Sequence, residues 1–429
     1  MTDAGGLAER LRALSPEQRR GLAEMRLRRP AALTPPPATG VLVEVLASFT
    51  AAPLEPGLDF WWSLLGIPVR TAFSPYGQLV QPLLDQPPLA PPERGAVTVI
   101  VLRWEDWLRF TAARSDPDRA CVHLERCLAD LATALGQATR SRRSAVLIFL
   151  CPASERCSTA EWTGVFTHAY DQLAGCCAAT PGLSLVPVAP FAAAYGVPVR
   201  TDEAADRLAH IPYDEEFFSV LATVVARGVV ASATRRRVRV LLDPQWTLPG
   251  RPAANGTTCE QPRRDLHRLL PAVARRREVL LPAGRRVDCC ADMRLLQARD
   301  PIRWLDTPAA ETNDGSVAAI GRSLDTGTVV ARDSILLTAD PATDDGLTAR
   351  HPELATLSLP ADPVAVRQRL EHAWVFDHGR LVDQPDDISS NVRVDVAPAR
   401  LREVAESLCD GEIVHQRIAE WRRARVAGG

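Results

Sequence analysis

Side chains that could do chemistry stand shortly after apolar runs in the first half of the chain. Ser48 and Thr50 follow one such run, and Cys151 follows another. Further on, Asp206 and His210 could serve as an orienting acid and a base. If the apolar runs are parallel strands, these side chains lie at the carboxyl edge of a sheet, where such sheets bind ligands. The pattern predicts catalysis by a hydroxyl or thiol nucleophile.

A serine after the first strand, with a late Asp and His, is similar to the arrangement of SGNH-type hydrolases. In those enzymes the His takes the hydroxyl proton and the Asp orients the ring. The spacing here is loose, because Asp206 lies four residues before His210 and those enzymes usually have three. Hydroxyls after strands also serve as turn or cap residues, so Ser48 and Thr50 keep that second interpretation.

The other strand ends carry a thiol and a charged cluster. Cys151 could accept an acyl group and pass it to another thiol, because thioester exchange is nearly isoenergetic. The alternative is a buried structural cysteine. Arg103 and Glu105, with Asp106 beside them, could bind a polar ligand or cap the following helix. Capping is the favoured role for Asp106.

The elements that would position these groups predict an α/β protein with two doubly wound parallel-sheet domains. Apolar runs of strand length alternate with helical patterns, which is typical of a parallel sheet covered on both faces. The predicted parts are a helical leader with a Pro-rich linker at 1–40, a first domain at 41–232, a second at 233–377 and a C-terminal tail with a helix at 378–429. The predicted strands are Val41–Leu46, Ala96–Leu102, Ala145–Leu150, Leu183–Val188, Val238–Leu242, Val279–Leu281 and Ser334–Thr338. The predicted helices of the two domains are Gly57–Leu65, Cys121–Gly136, Thr159–Ala174, Glu215–Val230, Arg263–Arg277 and Ser316–Leu324.

The composition and net charge of the chain argue against several classes of protein. The chain has 429 residues and a net charge of −2, which argues against a general nucleic-acid or membrane-surface binder. No apolar run is long enough to span a bilayer, and the first residues are charged rather than a signal sequence, so we expect a cytoplasmic protein. The ten cysteines show no C-x-x-C spacing, so neither a metal site nor a disulfide framework is expected.

The segment after the strand Val238–Leu242 resembles a nucleophile loop of the haloacid dehalogenase (HAD) superfamily that has lost half of its chemistry. That loop reads Asp-x-Asp-x-Thr, where the first Asp attacks phosphorus and the second transfers a proton. Asp243 and Thr247 match it, but Gln245 stands at the second Asp and cannot transfer a proton.

Other positions that the HAD resemblance requires are also altered. All fifty basic side chains are arginine, so only an arginine, such as Arg285, could replace the superfamily's lysine. The acidic pair expected after the strand Ser334–Thr338 is reduced to Asp340, which is displaced by one residue. Magnesium binding is therefore not expected, and we expect phosphatase activity to be lost. The alternative is that Asp243 and Arg285 act on a non-phosphate substrate.

Five motifs in the first domain resemble, in order, signatures of the FkbH-like proteins of polyketide and nonribosomal peptide pathways. They are Val45–Pro56, Phe73–Gln78, Val101–Trp107, Leu150–Pro152 and His210–Tyr213. The resemblance implies an SGNH-like first domain followed by a HAD/Rossmann-like domain. It also implies that an acyl unit is moved onto an acyl carrier protein as a thioester, as the better-known members do with glycerate.

The resemblance and the strand-end residues together predict carrier-protein-directed acyl transfer or thioester processing in the first domain. Ser48 or Thr50 would bind or attack the acyl carbonyl, His210 with Asp206 would be the base, and Cys151 would relay the acyl group. Tyr76, Arg103 and Glu105 are expected to bind the substrate. No cofactor is expected, and the acyl group would arrive on the phosphopantetheine arm of an acyl or peptidyl carrier protein.

Two alternative functions stay open. One is a non-catalytic scaffold that docks a carrier protein through the arginine clusters Arg235–Arg237, Arg275–Arg277 and Arg285–Arg286. Charge runs are usually solvated surface, so the clusters alone do not decide for docking. The other alternative is residual phosphatase or glyceryl-transfer activity of the HAD-like domain.

Overall fold

Two five-stranded parallel sheets organise the part of the chain that the computed structural model describes: residues 41–84, 96–142, 145–233, 239–242, 278–282, 302–305, 315–338, 341–359 and 374. The first sheet contains β1 (Val41–Ala47), β2 (Val69–Phe73), β3 (Ala96–Leu102), β4 (Ala145–Leu150) and β5 (Leu183–Pro187). The second contains β6 (Arg239–Leu242), β7 (Glu278–Pro282), β8 (Ile302–Leu305), β9 (Ser334–Thr338) and β10 (Ala355–Ser358). The predicted α/β class with two parallel sheets is confirmed.

Strand order fixes where each sheet offers a crevice. The first sheet has the order β2-β1-β3-β4-β5, so the chain reverses its direction of travel between β1 and β3. The second has the order β10-β9-β6-β7-β8 and reverses between β6 and β9. Ligands of doubly wound sheets bind at the carboxyl ends of the strands beside such a reversal. Ser48 follows β1 and Arg103 follows β3, so both stand at the reversal of the first sheet.

Helices cover both faces of the first sheet. They are α1 (Glu55–Leu65), α2 (Val80–Leu84), α3 (Trp104–Leu108), α4 (Pro117–Arg142), α5 (Ala160–Ala179), α6 (Ala189–Ala194), α7 (Glu203–Ala209) and α8 (Glu215–Ala233). The second sheet carries α9 (Gly315–Asp325) and α10 (Pro341–Arg350). Side-chain caps fix the starts of α4, α5, α7 and α8. Thr159 accepts from the Trp162 N–H, Asp202 accepts from the N–H groups of Ala204 and Ala205, and Asp116 and Asp214 cap α4 and α8 in the same way.

The central strands alternate between two apolar layers. On β3, Val97, Val99 and Val101 pack with α1 and α8 on one face, while Ile100 and Leu102 pack with α4 and α5 on the other. Because both faces are buried, the strand sequence is a nearly continuous apolar run rather than an alternating one. Trp374 also packs into the layer of α1 and α8, with its ring centroid 4.9 Å from that of Trp61.

Three strands that the sequence did not predict, β2, β8 and β10, lie at sheet edges. The predicted helices of the first domain are present, with ends that shift by a few residues. The predicted leader at 1–40, the helix Arg263–Arg277 and the C-terminal tail lie outside the described residues. Within the described part of the chain, no helix combines the length and the apolar character needed to cross a membrane.

Close packing of α1 against α8 gives a stability prediction. A Cβ added at Gly57 would stand 2.6 Å from the Cβ of Ala222, whereas one added at Gly164, on α5, meets nothing within 4 Å. We expect Gly57→Ala to lower the free energy of unfolding by about 1–3 kcal/mol, because two helices must separate. Gly164→Ala should raise it by about 0.5–1 kcal/mol, because alanine is the better helix former. Denaturant unfolding of both variants checks this, and equal effects would contradict the close approach.

Candidate functional site

Ser48 lies at the carboxyl end of β1 with its hydroxyl engaged on both sides. Its Oγ donates to Oδ2 of Asp106 at 2.8 Å and accepts from the backbone N–H of Arg103 at 2.9 Å. The side chain is buried. This arrangement ties the end of β1 to the start of α3, across the reversal point of the sheet.

Two arginines and two aspartates form an ion-pair network above Ser48. The Nη2 of Arg103 donates to Asp106 and to both carboxylate oxygens of Asp206, at 3.2 and 3.1 Å. The Nη2 of Arg109 donates to the Oδ1 atoms of Asp106 at 3.0 Å and of Asp206 at 2.5 Å. Arg103 is 1% exposed. Burial alone would lower the pKa of Arg103, but its pairing with Asp106 outweighs burial and raises it, so the guanidinium stays charged.

The network leaves some donors unsatisfied within the described residues. Arg103 Nη1 and Arg109 Nε are buried and have no hydrogen-bond partner there. Buried guanidinium donors without acceptors are costly, because desolvation is not compensated.

His210 ends α7 in a left-handed conformation, with φ of 59°. It is the one non-glycine residue with positive φ among the described residues. Its ring stacks on Tyr76, with centroids 4.2 Å apart and planes 6° apart, and Phe110 packs edge-on at 6.1 Å. Burial, together with the charge of Arg109, lowers the pKa of His210, so the imidazole is neutral at pH 7. Its Nδ1 is buried without a partner in the described structure.

Thr50 fastens the His210 turn to the end of β1. Its Oγ1 donates to the carbonyl of Ala209 at 2.6 Å, and its N–H donates to the carbonyl of His210 at 2.8 Å. The hydroxyl proton of Thr50 is therefore held by the backbone. Thr50 positions His210, and this is a turn role of the kind that strand-end hydroxyls commonly take.

A cavity of about 340 Å³ opens beside these groups at the carboxyl edge of the first sheet. Its charged lining consists of Arg103, Arg109, Arg114, Arg156, Arg207, Glu105, Glu203 and Asp206. His210 also lines it. Five arginines face three carboxylates, so the wall carries an excess of positive charge that favours an anionic ligand.

The substrate-binding residues expected from sequence all lie at or beside this cavity. Arg103 and Glu105 line it, and Tyr76 stacks on His210, which also lines it. The carboxylate of Glu105 accepts from the hydroxyl of Ser154 at 2.8 Å and from the N–H of the same residue. These contacts hold Glu105 in place. Its role in binding a substrate stays a prediction.

The structure does not assemble the triad expected from sequence. The hydroxyl of Ser48 pairs with Asp106 and not with His210, and the carboxylate of Asp206 binds arginines rather than the His210 ring. The prediction that Asp106 caps the following helix is wrong. Arg103 occupies the N-cap position of α3, and Asp106 lies inside the helix, where it accepts from Ser48 and the arginines.

Sequence reasoning missed Arg109 and Phe110. The signal for Arg109 was available, because Arg103, Asp106 and Arg109 recur every third residue and therefore share one side of a helical turn. Nothing in the local sequence marked Phe110, which is 79% exposed at the cavity. The HAD-type residues Asp243, Gln245, Thr247, Arg285 and Asp340 lie outside the described residues, as do the three arginine clusters.

Cys151 is buried and does not line the cavity. It is 2% exposed, and its N–H donates to the carbonyl of Leu102 at 2.8 Å. Burial raises the pKa of Cys151 well above that of an ordinary thiol, so the reactive thiolate is scarce at neutral pH. These features favour the structural role over the acyl relay.

The burial of Cys151 predicts its resistance to alkylation. We expect Cys151 of the native chain to stay unmodified by iodoacetamide at pH 7, because the thiol is neither accessible nor ionised. Cys176, which is partly exposed on α5, should react under the same conditions. Peptide mass spectrometry after a short pulse distinguishes the two, and early labelling of Cys151 would reopen the relay role.

Comparison with known proteins supports the fold of the chain. No protein-family model matches the chain, and no curated protein matches it. The chain is similar to the crystal structure of the N-terminal part of the protein BF1531 from Bacteroides fragilis, which contains a phosphatase domain and was complexed with Mg. The TM-score is 0.52 at 12% identity, over 84% of this chain and 95% of that one. This likeness shows a shared α/β fold.

A second solved structure, tagatose-6-phosphate ketose/aldose isomerase from Escherichia coli, aligns over 87% of this chain and 89% of its own. Its TM-score is 0.19 at 9% identity, which is too low to support an argument. The SGNH-like character of the first domain stays a prediction.

Proposed function

We propose that the first domain transfers an acyl group held as a thioester on the phosphopantetheine arm of an acyl or peptidyl carrier protein. His210 is the general base. The observation that carries the proposal is the position of His210, whose ring stacks on Tyr76 at an arginine-lined cavity on the carboxyl edge of the first sheet. Burial and the charge of Arg109 lower the pKa of His210, which favours the neutral imidazole. A base that is neutral at pH 7 can accept a proton from an attacking group.

The backbone of His210 supports a role for its ring. A left-handed residue at the end of a helix is usually glycine, because any Cβ is strained there. A non-glycine residue in this conformation costs about 1 kcal/mol or more. The stacking of His210 on Tyr76 fixes the ring beside the cavity and offsets part of that cost. Functional sites are where such strain is commonly kept.

The nucleophile in this proposal comes from the acceptor molecule. The hydroxyls of Ser48 and Thr50 are committed to Asp106 and to the Ala209 carbonyl, and neither is hydrogen-bonded to His210. The acceptor's hydroxyl or thiol attacks the thioester carbonyl while His210 takes its proton. The C–S bond then breaks, and the leaving thiolate of the arm takes that proton back from the imidazolium. This replaces a covalent acyl-enzyme with direct transfer between bound substrates.

Arg103 and Arg109 are the groups that would bind the developing oxyanion or an acidic part of the acyl chain. Both line the cavity, and each keeps a buried donor without a partner among the described residues. Fixed cationic donors in a partly dry site stabilise negative charge that develops during acyl transfer. The two aspartates hold these arginines in place.

The cavity edge also suits the docking of a carrier protein. Phe110 is 79% exposed there, and Arg114 lies on the same wall. Arg119 and Arg126 line a shallow neighbouring depression on α4. An exposed aromatic side chain among arginines fits a partner that offers an apolar contact within an acidic surface. In this proposal that partner is the carrier protein.

The second domain is proposed to have lost phosphatase chemistry. The support is the sequence, in which Gln245 stands where the superfamily has its proton-transferring Asp. Of the magnesium ligands expected from the HAD resemblance, Asp243 is kept and its acidic partners are not, so this donor set fits Mg²⁺ poorly. The second domain then serves as a structural companion of the first.

Intact mass spectrometry tests the proposed transfer. The full chain is incubated with a carrier protein that carries a candidate acyl group, and with an acceptor thiol or alcohol. We expect the acyl mass to leave the carrier and appear on the acceptor, with no stable adduct on this chain. Acyl groups on free coenzyme A, in a parallel reaction, tell whether the carrier itself is recognised.

Other outcomes decide between the remaining functions. An acyl adduct on Ser48 or Thr50 would overturn the direct transfer and restore the covalent route. Carrier binding with steep salt dependence but without turnover would favour the scaffold. Phosphate release that depends on both Mg²⁺ and Asp243 would return the activity to the second domain.

A further inference from the structure

Helices α4 and α5 bring three possible metal ligands together on the surface of the first domain. Cys121 and Glu125 lie one turn apart on α4, and His168 faces them from α5. Their ligand atoms, a thiol sulfur, a carboxylate oxygen and a ring nitrogen, all lie within 4.8 Å of one another. This cluster is separate from the residues that line the arginine-rich cavity.

We propose that Cys121, Glu125 and His168 bind Zn²⁺, with water as the fourth ligand. The donor atoms favour zinc, because thiolate and imidazole bind Zn²⁺ more strongly than the hard cations Mg²⁺ and Ca²⁺. Three protein ligands and an open position are an arrangement that zinc commonly adopts. The site is independent of the proposed acyl transfer.

The distances need little change to close around an ion. Tetrahedral zinc with ordinary bond lengths sets neighbouring ligand atoms about 3.3–3.6 Å apart. Glu125 Oε1 lies 3.1 Å from His168 Nε2 and 4.0 Å from the sulfur of Cys121. Glu125 and His168 are exposed and Cys121 is partly exposed, so their side chains can rotate slightly at little cost in free energy. The helices themselves can stay where they are.

Without metal the same groups satisfy one another. His168 Nε2 contacts Glu125, and the amide nitrogen of Gln172 lies 2.9 Å from the same ring nitrogen. When zinc binds, it takes the lone pair of the neutral ring nitrogen, and the Gln172 amide turns away.

Binding must release a proton from the thiol. A cysteine thiol is ordinarily protonated at pH 7, whereas zinc binds the thiolate. His168 is the ionisable group of the set that faces Cys121 from α5. The balanced step is thiol plus Zn²⁺ giving a zinc thiolate and one proton, which passes to the buffer. Calorimetry in buffers of different ionisation enthalpy counts that proton.

Cobalt titration of the reduced full-length chain tests the site. Co²⁺ takes the place of zinc and gives a thiolate-to-cobalt absorption band in the near ultraviolet, which Zn²⁺ should then remove. We expect one equivalent to bind, and we expect the band to disappear in Cys121→Ser. His168→Gln should weaken binding at least about tenfold, since loss of even an indirect contact to a ligand can cost that much.

A second Cys–His pair on α4 provides the matched control. Cys127 lies 3.5 Å from His123 Nε2, but this pair belongs to no group of three possible ligands within the described residues. Cys127→Ser should therefore leave the band and the affinity unchanged. The proposal is overturned if the band is absent from the original chain, persists in Cys121→Ser, or is lost in Cys127→Ser.

Discussion

Replacing Arg103 by methionine should lower the free energy of unfolding by about 3–5 kcal/mol, which would be the largest effect of any single change considered for this fold. Methionine keeps much of the side-chain volume, so the loss is mainly electrostatic. Arg103 is almost fully buried and pairs with both Asp106 and Asp206. Without Arg103, the two carboxylates would still be shielded from water but would be paired with one cation fewer. Uncompensated buried charge of this kind destabilises the folded state. The stacking of its guanidinium 5.9 Å from the Tyr213 ring is lost as well.

The control for Arg103→Met is an exposed pair with the same spacing. Arg119 and Asp116 are also three residues apart, and their side chains are 71% and 41% exposed. Arg119→Met should change the free energy of unfolding by less than about 1 kcal/mol, because water screens the pair. Urea unfolding of both variants gives the comparison. Similar values for the two would mean that the network above Ser48 contributes nothing that an ordinary surface pair does not.

Replacing His210 by asparagine should reduce acyl transfer about 10²–10⁴-fold, which is the range for loss of a general base. Asparagine is among the residues that best tolerate the left-handed conformation, so the end of α7 should keep its shape. The thermal unfolding midpoint should change little, apart from the lost stacking on Tyr76. A large loss of rate with a small loss of stability distinguishes a base from a packing residue.

The pH profile of transfer carries a second test of His210. The base works as neutral imidazole, so the rate should fall as pH drops through the pKa of His210. Burial and Arg109 lower that pKa, so the inflection should lie below 6.5. His351→Asn is the control, because His351 lies in the second domain, 2.8 Å from Asp325, and does not line the cavity. An inflection above 6.5, or equal losses in both variants, would remove His210 from the reaction.

The sequence revealed the central strands because their chemistry is local. β3, β4 and β9 were predicted with their observed limits, since burial on both faces produces an unbroken apolar run. The missed strands are edges. β2 reads Val-Arg-Thr-Ala-Phe and is half-buried throughout, so neither an apolar run nor a clean alternation marks it. Only pairing with β1 makes it a strand.

The sequence predicted several residues of the candidate site but not the hydrogen bonds and ion pairs that they make with one another. Ser48 and Arg103, expected at strand ends, do lie together at the carboxyl edge, because strand order places them there, whereas Cys151 is buried and does not line the cavity. Which hydroxyl faces which base depends on how α3 and α7 approach, and no local pattern encodes that approach. Asp206 turned to Arg109 rather than to the His210 ring. The Cys121, Glu125 and His168 cluster was invisible for the same reason, since its third member comes from another helix.

The position of Trp374 has a consequence for the order in which the protein can be completed during synthesis. Its indole packs on Trp61 in the layer that α1 and α8 form, although it follows the last strand of the second sheet in sequence. A ribosome has therefore released the whole second sheet before this part of the earlier core can close. Until residue 374 leaves the ribosome, the part of Trp61 that Trp374 covers stays open. The core of the first domain is therefore completed only after the second sheet has been synthesised.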